Sequence, residues 1–439
     1  MIAKEKFLQI FSSSSLRKQL ISGSKVPYKE KITLEKYNEE ILTLYESLSN
    51  SSYVNDLPRE YIFLNKGNGI SRIIPVFTLK DEVLYYFLCK MLEEEIAENR
   101  VFGTFGGWRL DNKIKIKEKD EIEYVYNSYN PALWVKAWKE FQKLAFQNSQ
   151  FGYKYIVSFD IANFYDNIRL DVLNQKLLLA VKDKVKIEYI NMLKYFLQYW
   201  NKKIDMYEPK NVGLPQNEFG DQSRLLANFY LQDYDNEIKS ICDERNCEYL
   251  RYSDDQIVFA NTLDDINFVL YHASKNLNKI GLNINPSKVN IYDNRYLFDV
   301  YNCFEIMDLL EDSSDLKKIN EAVEKYFNYK KKKYDFKEPT ILKRIINIGI
   351  SKIETNKRVK LAKMLISKES LKKYNCFYIN KLYAQLSSYN RKKIMENINE
   401  LVEEMYLNYF HYEVLTFYGK YGSKSDVDRV KSRIAELKI

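Results

Sequence analysis

Three aspartates stand where apolar, β-rich runs of the chain end. In YIVSFDIANFYDNI such a run closes on Asp160, with Phe164, Tyr165 and Asp166 just beyond it, and in YLRYSDDQIVFA two hydrophobic runs flank Tyr252, Ser253, Asp254 and Asp255. Carboxylates crowded at a strand end repel and raise one another's pKa, a cost that a bound cation relieves. Mg2+ takes oxygen ligands and is held by one or two carboxylates together with substrate phosphates. Asp160 meeting Asp254 and Asp255 across neighbouring strands would therefore suit a two-metal site. One ion would activate an attacking 3′-hydroxyl and the other would hold a triphosphate and its departing pyrophosphate. In such chemistry the protein contributes mainly position and charge neutralisation.

Positioning these groups requires strands, a hairpin and a loop, and the sequence signals each. From 154 the pattern runs strand, helices over about 170–200, a Gly-Pro loop at 213–215 and a helix over about 222–245. A strand pair at 248–260, a helix at 263–280 and a further strand follow. That alternation predicts an α+β or α/β unit whose sheet carries the chemistry. The segment GLPQNEFGDQSRLLANFYL, a tight loop running into a helix, lies between the two acidic segments. Tyr-x-Asp-Asp alone is weak, at about 0.1 chance copies in a chain with this much Tyr and Asp. The three segments together, in this order and each at its structural junction, are far more specific.

Upstream, residues 1–50 read as amphipathic helix interrupted at Ser12–Ser15. YIFLNKGNGISRIIPV reads as two short strands around a Gly-Asn-Gly turn, followed by a helix over about 80–99. The glycines of VFGTFGGW break the pattern at 101–108. Asn130-Pro131 opens a helix in which Trp134, Trp138, Phe141 and Leu144 mark one buried face. Beyond 301 the chain turns helical, with helices at 341–350, 356–368, 377–388, 391–411 and 424–438 that can stack as irregular pairs.

The 439 residues allow two or three structural units, and the 46% hydrophobic content suits a folded core. No apolar run reaches the length of a membrane span and the start, MIAKEKFLQIFSSSS, has too short an apolar stretch for a signal peptide, so the chain reads as cytoplasmic. Five cysteines without C-x-x-C spacing, joined only by His272 and His411, argue against a disulfide framework or a zinc site. The net charge of +8 is unevenly spread: residues 301–439 carry +9, and 330–400 alone carry +13. A basic module thus follows a near-neutral one, and phosphate backbones are the commonest partner of such a surface. Taken alone, a lysine run is as readily a solvated face; its 37 tyrosines suit base stacking and ordinary packing equally.

These segments resemble the palm of the reverse transcriptase superfamily. FDIANFYDNI is similar to motif A, GLPQ through SRLLANFYL to motif B, YSDD to motif C, and LNKIGLNINPSKVNIY to motif D. SRIIPVFTLKDEVLYYFL is a looser match to the fingers. The resemblance implies Asp160, Asp254 and Asp255 as metal ligands for two Mg2+ ions, with Mn2+ as a substitute, and Lys288 as a catalytic lysine near the departing pyrophosphate. It also implies a substrate-binding set of Arg72, Ile161, Phe164, Tyr165, Gln216 and Tyr252. Among these, Arg72 would meet the triphosphate, Tyr165 would stack under the sugar and exclude a 2′-hydroxyl, Gln216 would touch nucleotide and template, and Tyr252 would lie near the primer end.

The implied fold is α+β, a right-hand polymerase with an antiparallel palm sheet. Residues 1–150 would form an N-terminal extension and fingers, 151–300 the palm with 170–215 partly fingers, and 301–439 a basic helical thumb. The family departs here in two respects: Asn217 follows the motif B Gln, where relatives often have Gly, and the step from Gln216 to Ser223 is about two residues longer. There is no N-A-x-x-H segment of the retron kind. The FGTFGGW and NPALW segments and the long helical tail look most like the abortive-infection and defence-associated enzymes of bacteria. That implies a reverse transcriptase of antiphage defence. Its partners would be deoxynucleoside triphosphates, a dedicated RNA template such as a structured noncoding RNA, and the DNA product, with no membrane and with homo-oligomers allowed. Template-independent or protein-primed synthesis, and a catalytically silent RNA-binding scaffold, are the alternatives.

Overall fold

In a computed structural model, the described residues are 3–22, 24, 26–28, 30–67, 70–98, 100–110, 114–116, 122–124, 133–204, 206–216 and 221–437. The Asn68 and Gly69 turn, the Asn130-Pro131 helix start and Asn217 lie outside them. The chain divides into two compact units, one of residues 1–61 and 74–293 and the other of 62–73 and 294–439.

The first unit is built around a helix, Leu79–Glu98, that is buried nearly all round. A helix apolar on every side belongs in a core rather than at a surface. Its Tyr85 hydroxyl meets the Ser223 hydroxyl at 2.8 Å and its Glu93 ion-pairs with Lys90, so the polar groups it buries are partnered.

The strands in chain order are β1 (Glu60–Gly67), β2 (Ile70–Val76), β3 (Thr104–Phe105), β4 (Ile114–Ile116), β5 (Ile122–Tyr124), β6 (Tyr155–Phe159), β7 (Glu248–Tyr252), β8 (Asp255–Ala260) and β9 (Asn290–Tyr292). Five of them make the central sheet in the order β3-β7-β8-β6-β9. Every pairing in it is antiparallel except β3 with β7, which is parallel. The expected antiparallel palm sheet therefore gains a parallel edge, supplied by the glycine-rich segment that sequence reading left without structure. β7 and β8 are buried on both faces, from Tyr249 through Arg251 and from Gln256 to Ala260, as strands covered on two sides are. The helices Leu133–Gln150, Gln232–Glu244 and Leu263–Lys279 pack against this sheet.

The second unit is helical apart from the β1–β2 hairpin residues it includes. The expected helix over 391–411 is in fact two, Ser388–Glu404 and Asn408–Tyr421, and a helix at Leu316–Lys331 precedes the first one expected. Amide side chains tie neighbouring helices to each other's ends. Gln385 accepts from the Ile350 N–H at 2.7 Å and donates to the Ile346 carbonyl at 3.1 Å, and Asn397 donates to the Ile366 carbonyl at 2.8 Å. These bonds satisfy backbone groups that helix termini leave open. No helix among the described residues is long and apolar enough to cross a membrane.

Candidate active site

Asp160 follows directly on β6, and the register fixes what it faces. Phe159 pairs with Gln256, so the next step along β6 places Asp160 beside Asp255, while Tyr252 pairs with Asp255 across the β7–β8 turn. The turn has two residues, Ser253 and Asp254, and Ser253 takes φ 57°. A positive φ at the first turn residue matches the strand twist of a type II′ hairpin, at a cost in strain for a residue with a side chain.

That strained tip is held from three directions. The Ser253 N–H donates to the Phe105 carbonyl at 3.2 Å, the Ser253 carbonyl accepts from Arg251 Nη1 at 2.7 Å, and the Ser253 hydroxyl lies 3.4 Å from the Tyr165 hydroxyl. Arg251 is fully buried. Its Nε donates to Asp235 Oδ1 at 2.7 Å and its Nη1 to Asn228 Oδ1 at 2.8 Å, while Tyr249 donates to Asp235 Oδ1 at 3.0 Å. Burial works against the charge on Arg251, but the Asp235 carboxylate outweighs it and raises the guanidinium above its ordinary range. A buried pair satisfied this fully specifies position more than it adds stability.

Close approach explains the glycines. Gly103 has φ 84°, and a Cβ there would stand 2.7 Å from the Tyr249 carbonyl. At Gly107 a Cβ would stand 2.6 Å from the Arg224 Cβ. Both positions need a residue without a side chain for β3 to lie against β7 and the motif B helix, Asp221–Tyr230.

Lys288 ends a 3-10 turn, Pro286–Lys288, just before β9, and its ammonium bonds Asp160 Oδ2. That hydrogen bond raises the Lys288 pKa, burial opposes it, and the charges of Asp160, Asp254 and Asp255 add to the rise. Lys288 thus senses all three carboxylates, which places them in one electrostatic neighbourhood. Asp160 is 4% exposed, and its second oxygen, Oδ1, is buried with no hydrogen-bond partner among the described residues. A buried carboxylate oxygen without a donor is a cost that a cation would remove. An oxygen-only set with one orphaned oxygen fits a hard divalent ion. No preformed group of three or more metal-ligating side chains exists among the described residues, so a metal ion would have to draw the carboxylates together around the open Oδ1 of Asp160.

Of the expected substrate residues, Tyr165 is half-buried beside the hairpin tip, and Tyr252 packs edge-on against Trp138 at 4.8 Å. Gln216 donates to Asp166 Oδ1 at 3.1 Å, and its Oε1 is buried without a partner among the described residues. Ile161 and Phe164 differ from expectation: at 2% and 3% exposed their side chains belong to the core, leaving only backbone to offer a substrate. Arg72, on β2, falls in the second unit. Arg224, Arg251 and Asn228 were not singled out from sequence. The Arg two residues before Tyr-x-Asp-Asp's first Asp-flanking Ser, inside an apolar strand, was the available signal, since a buried arginine demands a partner.

Residues 125–298 match the family model described as reverse transcriptase (RNA-dependent DNA polymerase). Among curated proteins, the Retron Ec83 reverse transcriptase of Escherichia coli is 30% identical over 112 residues, 25% of this chain and 33% of that protein. The match thus spans about a third of that relative's length. Among solved structures, apo telomerase from Candida tropicalis has a TM-score of 0.37 at 13% identity, covering 92% of this chain and 68% of that one. Telomerase from Candida albicans with a fragment of telomeric RNA gives 0.34 at 13%, covering 94% and 73%. Both are too distant to bear on function.

Proposed function

We propose, from the match of residues 125–298 to the reverse transcriptase family model, that this protein is an RNA-directed DNA polymerase. It works with two divalent ions, Mg2+ foremost, on a dedicated RNA template in an antiphage defence system. The observation that carries this reading is the register that sets Asp160 beside Asp255 at a hairpin tip shared with Asp254, with Lys288 in the field of all three.

Asp160, Asp254 and Asp255 would hold the metals, which supply charge neutralisation and activation of the attacking hydroxyl. Lys288 would give a proton to departing pyrophosphate, and as a general acid it would contribute roughly 10²- to 10⁴-fold. Tyr165, braced against the Ser253 hydroxyl, would block a ribose 2′-hydroxyl. Gln216 would aim its buried amide oxygen at the incoming nucleotide. Purified protein, incubated with homopolymeric RNA, a DNA primer and one deoxynucleotide at a time, should extend only with the complementary nucleotide. Growth indifferent to the template would favour template-independent or protein-primed synthesis, and no growth would favour the silent scaffold.

A further inference from the structure

The second unit contains a cavity of about 450 Å³ remote in sequence from the palm motifs. Its lining lysines are Lys66 on β1, Lys343 on the Glu338–Ile348 helix, and Lys372 and Lys373 after the short Lys368–Leu371 helix. The same lining carries the aromatic residues Phe63, Tyr374, Tyr409 and Phe410. Glu369 is the acid in its lining, and it is engaged by Lys373 at 3.1 Å.

Lysines converging from three elements repel one another, and folding tolerates the arrangement best when an anion fills it. Neither Lys343 nor Lys372 has a carboxylate within ion-pair distance among the described residues; Lys343 instead lies 5.6 Å from the centre of the Tyr378 ring. Burial lowers the Lys343 pKa with no acid opposing the shift. β1, which carries both Phe63 and Lys66, is fixed: Asn408 accepts from the Phe63 N–H at 2.7 Å, holding the strand to the start of the Asn408–Tyr421 helix.

A volume of this size is in the range of small-molecule sites and exceeds what a bare phosphate needs. A lining that combines lysines with aromatic rings matches a molecule that carries both a phosphate and a flat, weakly polar ring. We propose that this cavity binds a nucleoside 5′-phosphate, either free or as the 5′-terminal nucleotide of a strand. Lys343 and Lys372 take the phosphate and the aromatic residues of the lining take the base. The site is separate from the proposed polymerase centre and does not depend on that reading.

Titration by fluorescence polarisation in 150 mM salt tests it with the full chain. Four probes are compared: labelled ATP, labelled dTTP, and a labelled six-nucleotide strand with either a 5′-phosphate or a 5′-hydroxyl. Binding of at least one phosphate-bearing probe is expected, weakened at least tenfold in Lys343→Gln and in Lys372→Gln but unchanged in Lys184→Gln, an exposed lysine on the Lys184–Tyr199 helix of the first unit. Preference for the free nucleotides identifies a mononucleotide site; preference for the 5′-phosphorylated strand over its 5′-hydroxyl twin identifies strand-end capture. Equal binding of the two strands with no binding of free nucleotide, or equal loss in all three variants, would overturn the proposal. Far-ultraviolet circular dichroism and thermal melting of each variant separate lost binding from lost folding. Because no probe is extended, loss of polymerase activity leaves the result unaffected.

Discussion

At the scale of residues, the candidate site reduces to three carboxylates and one ammonium. Asp254→Asn and Asp255→Asn remove charge at an exposed tip with little effect on packing, so primer extension should fall by roughly 10²-fold or more while the melting temperature changes little. Lys288→Ala should lower the extension rate between roughly 10²- and 10⁴-fold, and Lys288→Arg should restore little of it, because a guanidinium pairs with Asp160 but does not give up a proton. Tyr165→Ala should raise ribonucleotide incorporation relative to deoxynucleotide; an unchanged ratio, measured by competing dATP with ATP, would remove the gate from Tyr165. Asp160, Asp254 and Asp255 stood out because each lies where an apolar run ends, whereas Lys288 and Tyr165 were named only through the resemblance to motifs D and A. Ile161 and Phe164 were less so. A motif match carries no information on which way a side chain points, and both point into the core.

At the scale of elements, the hairpin that carries Asp254 and Asp255 is positioned by groups that perform no chemistry. Arg251→Met strands the fully buried Asp235, and loss of one partner of such a pair costs about 3–5 kcal/mol, to be read by urea denaturation. Gly103→Ala adds a Cβ 2.7 Å from the Tyr249 carbonyl at a positive φ, and should cost about 1–3 kcal/mol with a loss of extension larger than that of a comparably destabilised distant variant. Strands β6 to β9 could be read from sequence since their apolar runs are flanked by turn residues. β3 could not. It has two residues, no alternation to detect, and exists through its pairing with β7. The break at 405–407 in the helical unit was equally hidden, for Met405, Tyr406 and Leu407 include neither Gly nor Pro.

At the scale of the whole molecule, charge and burial set the response to salt and pH. The +13 carried by residues 330–400 predicts RNA binding whose affinity falls linearly on a log–log plot against salt, and Lys331→Glu with Lys332→Glu should reduce that slope by about 1–2. Asp81 is 1% exposed, and burial, with the neighbouring Asp56 adding, pushes its pKa up to about 7. The folded state therefore holds this proton more tightly than the unfolded state. The stabilisation is present below the unfolded carboxylate range and is lost as pH rises toward 7, at most about 4 kcal/mol from this group. Wild type should lose stability between pH 5 and pH 8 relative to Asp81→Asn, as measured by denaturant titration at both; parallel behaviour of the two proteins would contradict it. The basic character of this half was plain from the lysine count, whereas its grouping with residues 62–73 was not, being a contact between segments more than 200 residues apart.

The most direct trial of the account is primer extension on poly(rA) and poly(rC) with Mg2+ present or chelated. The prediction is dTTP incorporation on the first template and dGTP on the second, each abolished by chelator and by Asp254→Asn with Asp255→Asn. Incorporation that survives the double substitution would show that the hairpin-tip carboxylates are not where the chemistry occurs.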